Sequence, residues 1–395
     1  MDVMEIFHAS VALITGLMVG SFLNVVIWRL PRGENLAKPR SACPGCGKLI
    51  VWFDNIPVLS WLALGAKCRR CKTPIAMRYP LVELLTGVLF LLAWQAHGAH
   101  LGTAITVALF LAALVAISFI DLDHRIIPDA ISKPGIVLFV LAAPLSLLHA
   151  TGELAWTRDW FPGAKPALNA LVDAGLGAVL GAAVILLIRA IGTWILKKEA
   201  MGLGDVKLLA FIGAVVGPLL SLYGLVIGCF GGAIIGGILF LIGKHRPMPC
   251  AMDVQGLGAE GRDLRAHFTR TKVRDGEDAD FEVHGAPEAA VGTPVRVNLT
   301  LPATRILEDE NAELALKGHI AAVEGTGDAR QWLLKITEHT DLDAERVGMY
   351  ARSYRYIPFG PFLALGGALC ALYPQHVHWF MTEGYPSFAR TLFGN

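Results

Sequence analysis

The sequence predicts an all-α polytopic membrane protein with about eight transmembrane helices, a basic cytoplasmic loop that carries four cysteines, and an inserted small β-rich cytoplasmic domain. Three observations carry that expectation. Hydrophobic residues make up 54% of the 395-residue chain and charged residues only 17%, giving a mean hydropathy of +0.53, more apolar than a soluble core of this length requires. Eight apolar stretches approach the roughly 20 residues that a helix needs to cross about 30 Å of hydrocarbon. The positive charges collect in alternate connections. The net charge of +1 gives no indication of a nucleic-acid partner.

In chain order the apolar stretches are 6–28, 81–97, 101–120, 135–149, 168–196, 206–220, 222–243 and 356–373. The first has an acidic lead-in and runs into Arg29-Leu30-Pro31-Arg32 without a small-residue cleavage site. It reads as a retained span, not a secretory signal. The implied organisation is a first helix (1–30), a cytoplasmic loop (31–80), a membrane-embedded core (81–245), an insert (246–354) and a last helix with its tail (355–395).

Orientation follows from Lys and Arg in the short connections. Arg29, Arg32, Lys38, Arg40, Lys48, Lys67, Arg69, Arg70, Lys72 and Arg78 fall between the first two stretches, so that loop is expected inside. Alternation then puts Arg125–Lys133, Lys197–Lys207 and Lys244–Arg246 inside as well. The outside connections carry only Arg158 and Lys165. On the long outside connection 151–167, Trp156, Trp160 and Phe161 suit an interfacial belt.

Under this topology two acids reach the same membrane face. Asp121 ends the third stretch in Phe119-Ile120-Asp121-Leu122-Asp123, and Asp205 opens the sixth in Gly202-Leu203-Gly204-Asp205-Val206-Lys207. Two carboxylates held close cannot both ionise, so one stays protonated beside a charged partner. Such a pair can take a proton from water as it attacks a carbonyl and donate a hydrogen bond to the oxyanion. Gly202 and Gly204 would open the backbone to an extended substrate, and Pro128 would stop the helix after Asp121. Acids at helix ends also serve as caps or solvated markers, the reading given to Asp123 and Asp129. Asp173 suits an interfacial or helix-packing position. Lys207 and Arg125 could steady negative charge, although inside-loop anchoring accounts for them.

Cys43-Pro44-Gly45-Cys46 and Cys68-Arg69-Arg70-Cys71 are two Cys-x-x-Cys knuckles separated by 21 residues. Four soft sulfurs on two tight turns complete a tetrahedron, so Cys43, Cys46, Cys68 and Cys71 are expected to hold a structural Zn2+. A reducing compartment disfavours disulfides, and an iron–sulfur cluster is the chemical alternative. Cys229, Cys250 and Cys370 lack paired spacing and read as buried or incidental thiols.

The insert begins with 256–280, rich in Gly, Asp, Glu and Arg and expected to be a flexible or partly disordered connection. Strand-like alternation follows at Phe281–Val283, Val295–Leu301 and Trp332–Ile336. A helix is expected over Leu342–Tyr354.

Taken together, Gly20-Ser21-Phe22-Leu23-Asn24, the cysteine knuckles followed by Arg78-Tyr79-Pro80-Leu81-Val82-Glu83, the two Asp motifs, and Ile357-Pro358-Phe359-Gly360-Pro361-Phe362 resemble the bacterial type IV prepilin peptidases, membrane aspartic leader peptidases. The resemblance implies cleavage of the basic leader of prepilins and type II secretion pseudopilins at the cytoplasmic face of the inner membrane. It implies that Asp121, the first Asp of an Asp-x6-Pro motif, and Asp205 are the catalytic pair. It further implies N-methylation of the new amino terminus with S-adenosylmethionine, associated with the cysteine-bearing region. No nucleotide fingerprint in the residues identifies a methyl-donor site.

Two departures from that family pattern stand out. Ala66 lies where the family's usual glycine is expected, and the insert occupies a place where members run almost directly from the seventh span into Pro-Phe-Gly-Pro-Phe. The insert could bind a partner or ligand of unknown kind, or be a passive tethered domain. Glu83, early in the second stretch, is a costly intramembrane carboxylate. A substrate-binding or methyl-transfer role and pairing with a basic loop residue both remain open for it. Two other functions compete: a membrane methyltransferase without proteolysis, and a zinc-bearing transporter. The transporter would want its acids at midplane, whereas both map to helix boundaries.

Overall fold

In the computed structural model, the described residues are 3–43, 45–146, 148, 165–197, 202–242, 250–255, 264–270, 280–284, 290–292, 294–301, 312–324, 331–338 and 358–387. The chain forms two compact units, Met1–Ile234 with Pro358–Asn395, and Ile235–Ile357.

The first unit is helical. Helix α1 (Val3–Arg29) carries Glu5 in its first turn and Arg29 in its last, complementing the helix dipole. It stops where Pro31 enters a short 3-10 turn and Gly33 takes a left-handed φ of 65°. After the short α2 (Leu59–Ala63) come α3 (Arg78–His97), α4 (Leu101–His124), α5 (Asp129–Ala142), α6 (Pro166–Leu196), α7 (Leu203–Val216), α8 (Pro218–Ile242), α9 (Gly360–Leu372) and α10 (Pro374–Trp379).

Five of these helices, α1, α3, α4, α6 and α8, are long and apolar enough to cross a membrane among the described residues. The other three of the eight expected stretches form shorter helices. Helices α5 and α7 have 14 residues each and α9 has 13, or about 20 Å of helix against about 30 Å of hydrocarbon. The apolar character continues past their ends, which is why composition alone overestimates their length. The connection bearing Trp156, Trp160 and Phe161 and the segment Leu342–Tyr354 lie outside the described residues.

Helix α4 is the hub. Val107, Phe110, Leu111, Ile117 and Ile120 are fully buried along it. Phe110 meets Phe139 of α5 edge-on at 6.0 Å between centroids and Phe211 of α7 at 5.3 Å, and those two rings contact each other at 5.4 Å. This aromatic triad locks three helices together, with favoured edge and tilted geometries adding to simple burial. Elsewhere glycines allow backbones to touch, because lipid tails remove any hydrophobic drive for helix association and leave close packing to do it. A methyl on Gly16 would stand 2.8 Å from the Gly87 Cα, pinning α1 on α3. Gly177 against Gly213 does the same for α6 and α7, and Gly224 against Gly366 for α8 and α9.

The second unit contains a closed antiparallel barrel of six strands, β1 (Cys250–Gln255), β2 (Leu264–Arg270), β3 (Asp280–His284), β4 (Pro294–Leu301), β5 (Ala312–Glu324) and β6 (Gln331–Glu338). The order is β1-β2-β3-β6-β5-β4, with β4 returning to β1. Closure leaves no free strand edge. Three of these strands coincide with the sequence expectation. The flexible connection expected over 256–280 is corrected, since β2 lies inside it and pairs with β3 from Ala266↔Val283 to Arg270↔Asp280. Its charged composition masked a strand that pairs with its sequence neighbours β1 and β3.

Candidate active site and cysteine cluster

Asp121 lies one turn before the end of α4. It is 5% exposed, and the helix closes behind it when the Arg125 N–H donates to the Asp121 carbonyl at 2.9 Å. Arg125 takes a left-handed φ of 57°, so the helix ends there. Pro128 therefore does not stop α4 as expected. It precedes α5, and its carbonyl accepts the Ile131 and Ser132 N–H groups, each at 3.1 Å.

Asp205 occupies the first turn of α7, where the N–H-rich helix end favours negative charge. Gly202 is extended, with φ −77° and ψ 148°. Gly204 is already helical, which corrects the idea that it opens the backbone. Its missing Cβ instead admits Ile127, whose side chain would stand 3.3 Å from a methyl placed there.

Ile127 also reaches Gly360, the first residue of α9, where a methyl would stand 3.6 Å from the Ile127 side chain and would overlap Asp121 Oδ2. Gly204, beside Asp205 in sequence, and Gly360, against Asp121, thus both border one isoleucine. Gly360 and Ile127 are site residues that sequence reasoning passed over. Gly360 stood inside a recognised motif, but only its approach to Asp121 discloses its use.

The charged neighbours are engaged elsewhere. Arg78 pairs with Asp123 at 2.5 Å and lies over the Phe119 ring at 5.2 Å, tying the start of α3 to the end of α4. Lys207 pairs with Asp129, which also binds Lys133 at 2.6 Å. Asp123 and Asp129 are therefore ion-pair partners that fasten helix ends. Asp173 is buried within α6 at 1% exposure. Glu83 is buried too, and its Oε2 accepts the Val58 N–H at 2.8 Å.

The four expected cysteines converge, with all sulfurs of Cys43, Cys46, Cys68 and Cys71 within 4.8 Å of one another. Cys43 and Cys71 are 3.6 Å apart, close to the edge of about 3.8 Å that a tetrahedron with 2.3 Å metal–sulfur bonds requires. The cysteines are free thiols, and the cluster could hold a metal ion. The Thr73 hydroxyl and N–H hold the Cys71 thiol down at about 6, and the N–H groups of Cys71 and Arg70 lower that of Cys68, which favours the ligating thiolate form at these two positions of the second knuckle.

Two matching turns build this cluster. Cys43 N–H donates to Lys48 O, Gly47 to Cys43 O and Ile50 to Ser41 O; twenty-five positions on, Cys68 donates to Thr73 O, Lys72 to Cys68 O and Ile75 to Ala66 O. Of the remaining thiols, Cys370 is buried and Cys229 exposed on its helix. The Cys250 side chain lies outside the described residues.

The sequence matches the Bacterial Peptidase A24 N-terminal domain over residues 14–97 and the Type IV leader peptidase family over residues 108–237. It is 40% identical over 255 residues, covering 58% of this chain and 86% of the relative, to a type 4 prepilin-like proteins leader peptide-processing enzyme of Escherichia coli. The chain belongs to the type IV leader peptidase family. Within it, a prepilin leader peptidase/N-methyltransferase of Neisseria gonorrhoeae is 35% identical over 288 residues, 65% of this chain and 91% of that protein. One from Myxococcus xanthus is 38% identical over 243 residues, 61% of this chain and 66% of that protein. The leader peptidase match ends before the barrel begins, so the barrel stands apart from the family's common portion. With five apolar helices of spanning length, this family member is a multi-pass membrane protein.

Proposed function

We propose that this chain is a membrane aspartyl endopeptidase that removes the basic leader from type IV prepilins and pseudopilins and then N-methylates the new amino terminus. The observation that carries this reading is the buried Asp121 carboxylate at the end of α4, fitted against Gly360, with Ile127 reaching from Gly360 to Gly204 in the Gly-x-Gly-Asp start of α7. Asp121 and Asp205 act as the pair. The ionised member takes a proton from water, the oxygen attacks the scissile carbonyl, and the protonated member donates to the oxyanion. Collapse of the intermediate breaks the C–N bond, and the proton passes to the departing amine. Gly202, extended just before α7, gives the substrate backbone a close approach.

The short helices α5, α7 and α9 complete the membrane portion with the five long ones, and the basic loop supports an active end on the cytoplasmic face of the inner membrane. Cys43, Cys46, Cys68 and Cys71 hold a structural zinc ion that cross-links the two knuckles. S-adenosylmethionine supplies the methyl group; no residue here is assigned to it.

The test uses membranes containing the full chain and a model prepilin, scored for leader loss and for the mass of the new amino terminus. Asp121→Asn and Asp205→Asn are each expected to lower cleavage by at least about a thousandfold, the range over which loss of an acid–base group is felt, with protein level unchanged. Cleavage retained in either variant rejects the pair. Methylation without leader loss in the wild type would instead favour a methyltransferase alone.

A further inference from the structure

Glu83 lies five residues into α3, about 7 Å along its axis, in a helix apolar enough to cross a membrane. A carboxylate at that depth is retained where its oxygens find donors. Here the Val58 N–H donates to Glu83 Oε2 at 2.8 Å. Gly20 of α1 packs directly on the Glu83 backbone, since a methyl at Gly20 would stand 2.7 Å from the Glu83 Cα.

The donor residue is itself unusual. Val58 has φ 61° and ψ −50°, and the Leu59 N–H donates across it to Pro57 O at 2.6 Å. This is a three-residue γ-turn of the rare positive-φ kind, centred on a β-branched residue that disfavours it. Such a turn persists where its surroundings hold it. From the turn, α2 begins, and Trp61 on α2 donates its ring N–H to the Ile75 carbonyl at 3.1 Å. Ile75 closes the second knuckle by donating to Ala66 O at 2.7 Å. An unbroken chain of contacts therefore runs from Glu83 to the cysteine cluster. The same first turns of α3 carry Arg78, which grips Asp123 two residues from Asp121.

We infer that Glu83 is a positioning residue, a latch that fastens the strained turn at Val58 and so docks the cysteine loop on the membrane helices beside the Asp121 end of α4. It acts through the Val58 amide and needs an acceptor oxygen, not a charge. This goes beyond the proposed peptidase activity and is read without it, so failure of one is distinguishable from failure of the other.

The test is amide hydrogen exchange on the purified full chain over residues 56–77. Glu83→Ala is expected to speed exchange there about tenfold or more through local opening, with α4 amides still protected. Glu83→Gln keeps an acceptor and stays near wild type. Adding Val58→Gly to Glu83→Ala restores protection, because glycine takes the positive φ without the latch. Wild-type protection in Glu83→Ala, or opening in Glu83→Gln as large as in Glu83→Ala, overturns the inference. Should Glu83→Ala lose the helical fold, Glu83→Leu keeps the side-chain bulk without an acceptor oxygen, and an unchanged loop in that variant overturns it equally.

Discussion

At Gly360 a missing methyl group leaves room for the Asp121 carboxylate, and restoring it gives the prediction at the residue scale. Alanine in the first turn of α9 would ordinarily favour the helix over glycine. Here its Cβ overlaps Asp121 Oδ2, and the carboxylate, being the movable partner, must shift. A displacement near 1 Å in a reacting group costs on the order of a hundredfold in rate, so Gly360→Ala should cut leader cleavage by about that factor while the protein stays folded. Turnover measured beside the amount of membrane-inserted protein checks this. The acids themselves could be read from their local motifs. Gly360 and Ile127 could not, because their importance lies in contacts with residues far away in the chain.

The two knuckles carry the element-scale argument. Their hydrogen bonds superpose with an offset of 25 positions, and each places a left-handed residue straight after its second cysteine: Gly47 at φ 66° and Lys72 at φ 60°. Cysteine spacing announced the cluster, whereas the repeated turn did not show in sequence, since glycine and lysine hide the same conformation. Ala66, the departure from the family's usual glycine, has φ 58°. A left-handed alanine costs about 1 kcal/mol, so Ala66→Gly should favour the closed loop by roughly that amount, about a fivefold change in opening. Slower exchange of the Ile75 amide, which donates to the Ala66 carbonyl, is the measurement. Unchanged exchange would mean that the loop absorbs the strain elsewhere.

For the whole molecule, the division into two compact units makes a direct prediction. The barrel closes on itself through β1 and β4, the helical unit is assembled from Met1–Ile234 and Pro358–Asn395, and the leader peptidase match ends at residue 237. Replacing residues 246–354 with a short flexible linker should therefore leave leader cleavage within about threefold of the intact chain, as expected when a domain has its own core. A loss of a hundredfold or more in a well-inserted protein would tie the barrel to the peptidase. Composition announced the membrane class, and alternation announced strands in the insert. Closure of the barrel depended on pairings such as Ala251↔Thr300, which join distant segments and leave no local trace.

What the sequence determined by itself was everything written in short-range chemistry: apolar length, alternating charge, two acid motifs and two cysteine pairs. Tertiary structure alone decided that α4 forms the hub, that Glu83 meets the loop backbone, and that Gly360 faces Asp121. The reason is physical. In a bilayer the lipid-facing and core-facing sides of a helix are equally apolar, so no periodic contrast in the sequence marks the buried face, and close packing between distant glycines and rings selects the neighbours.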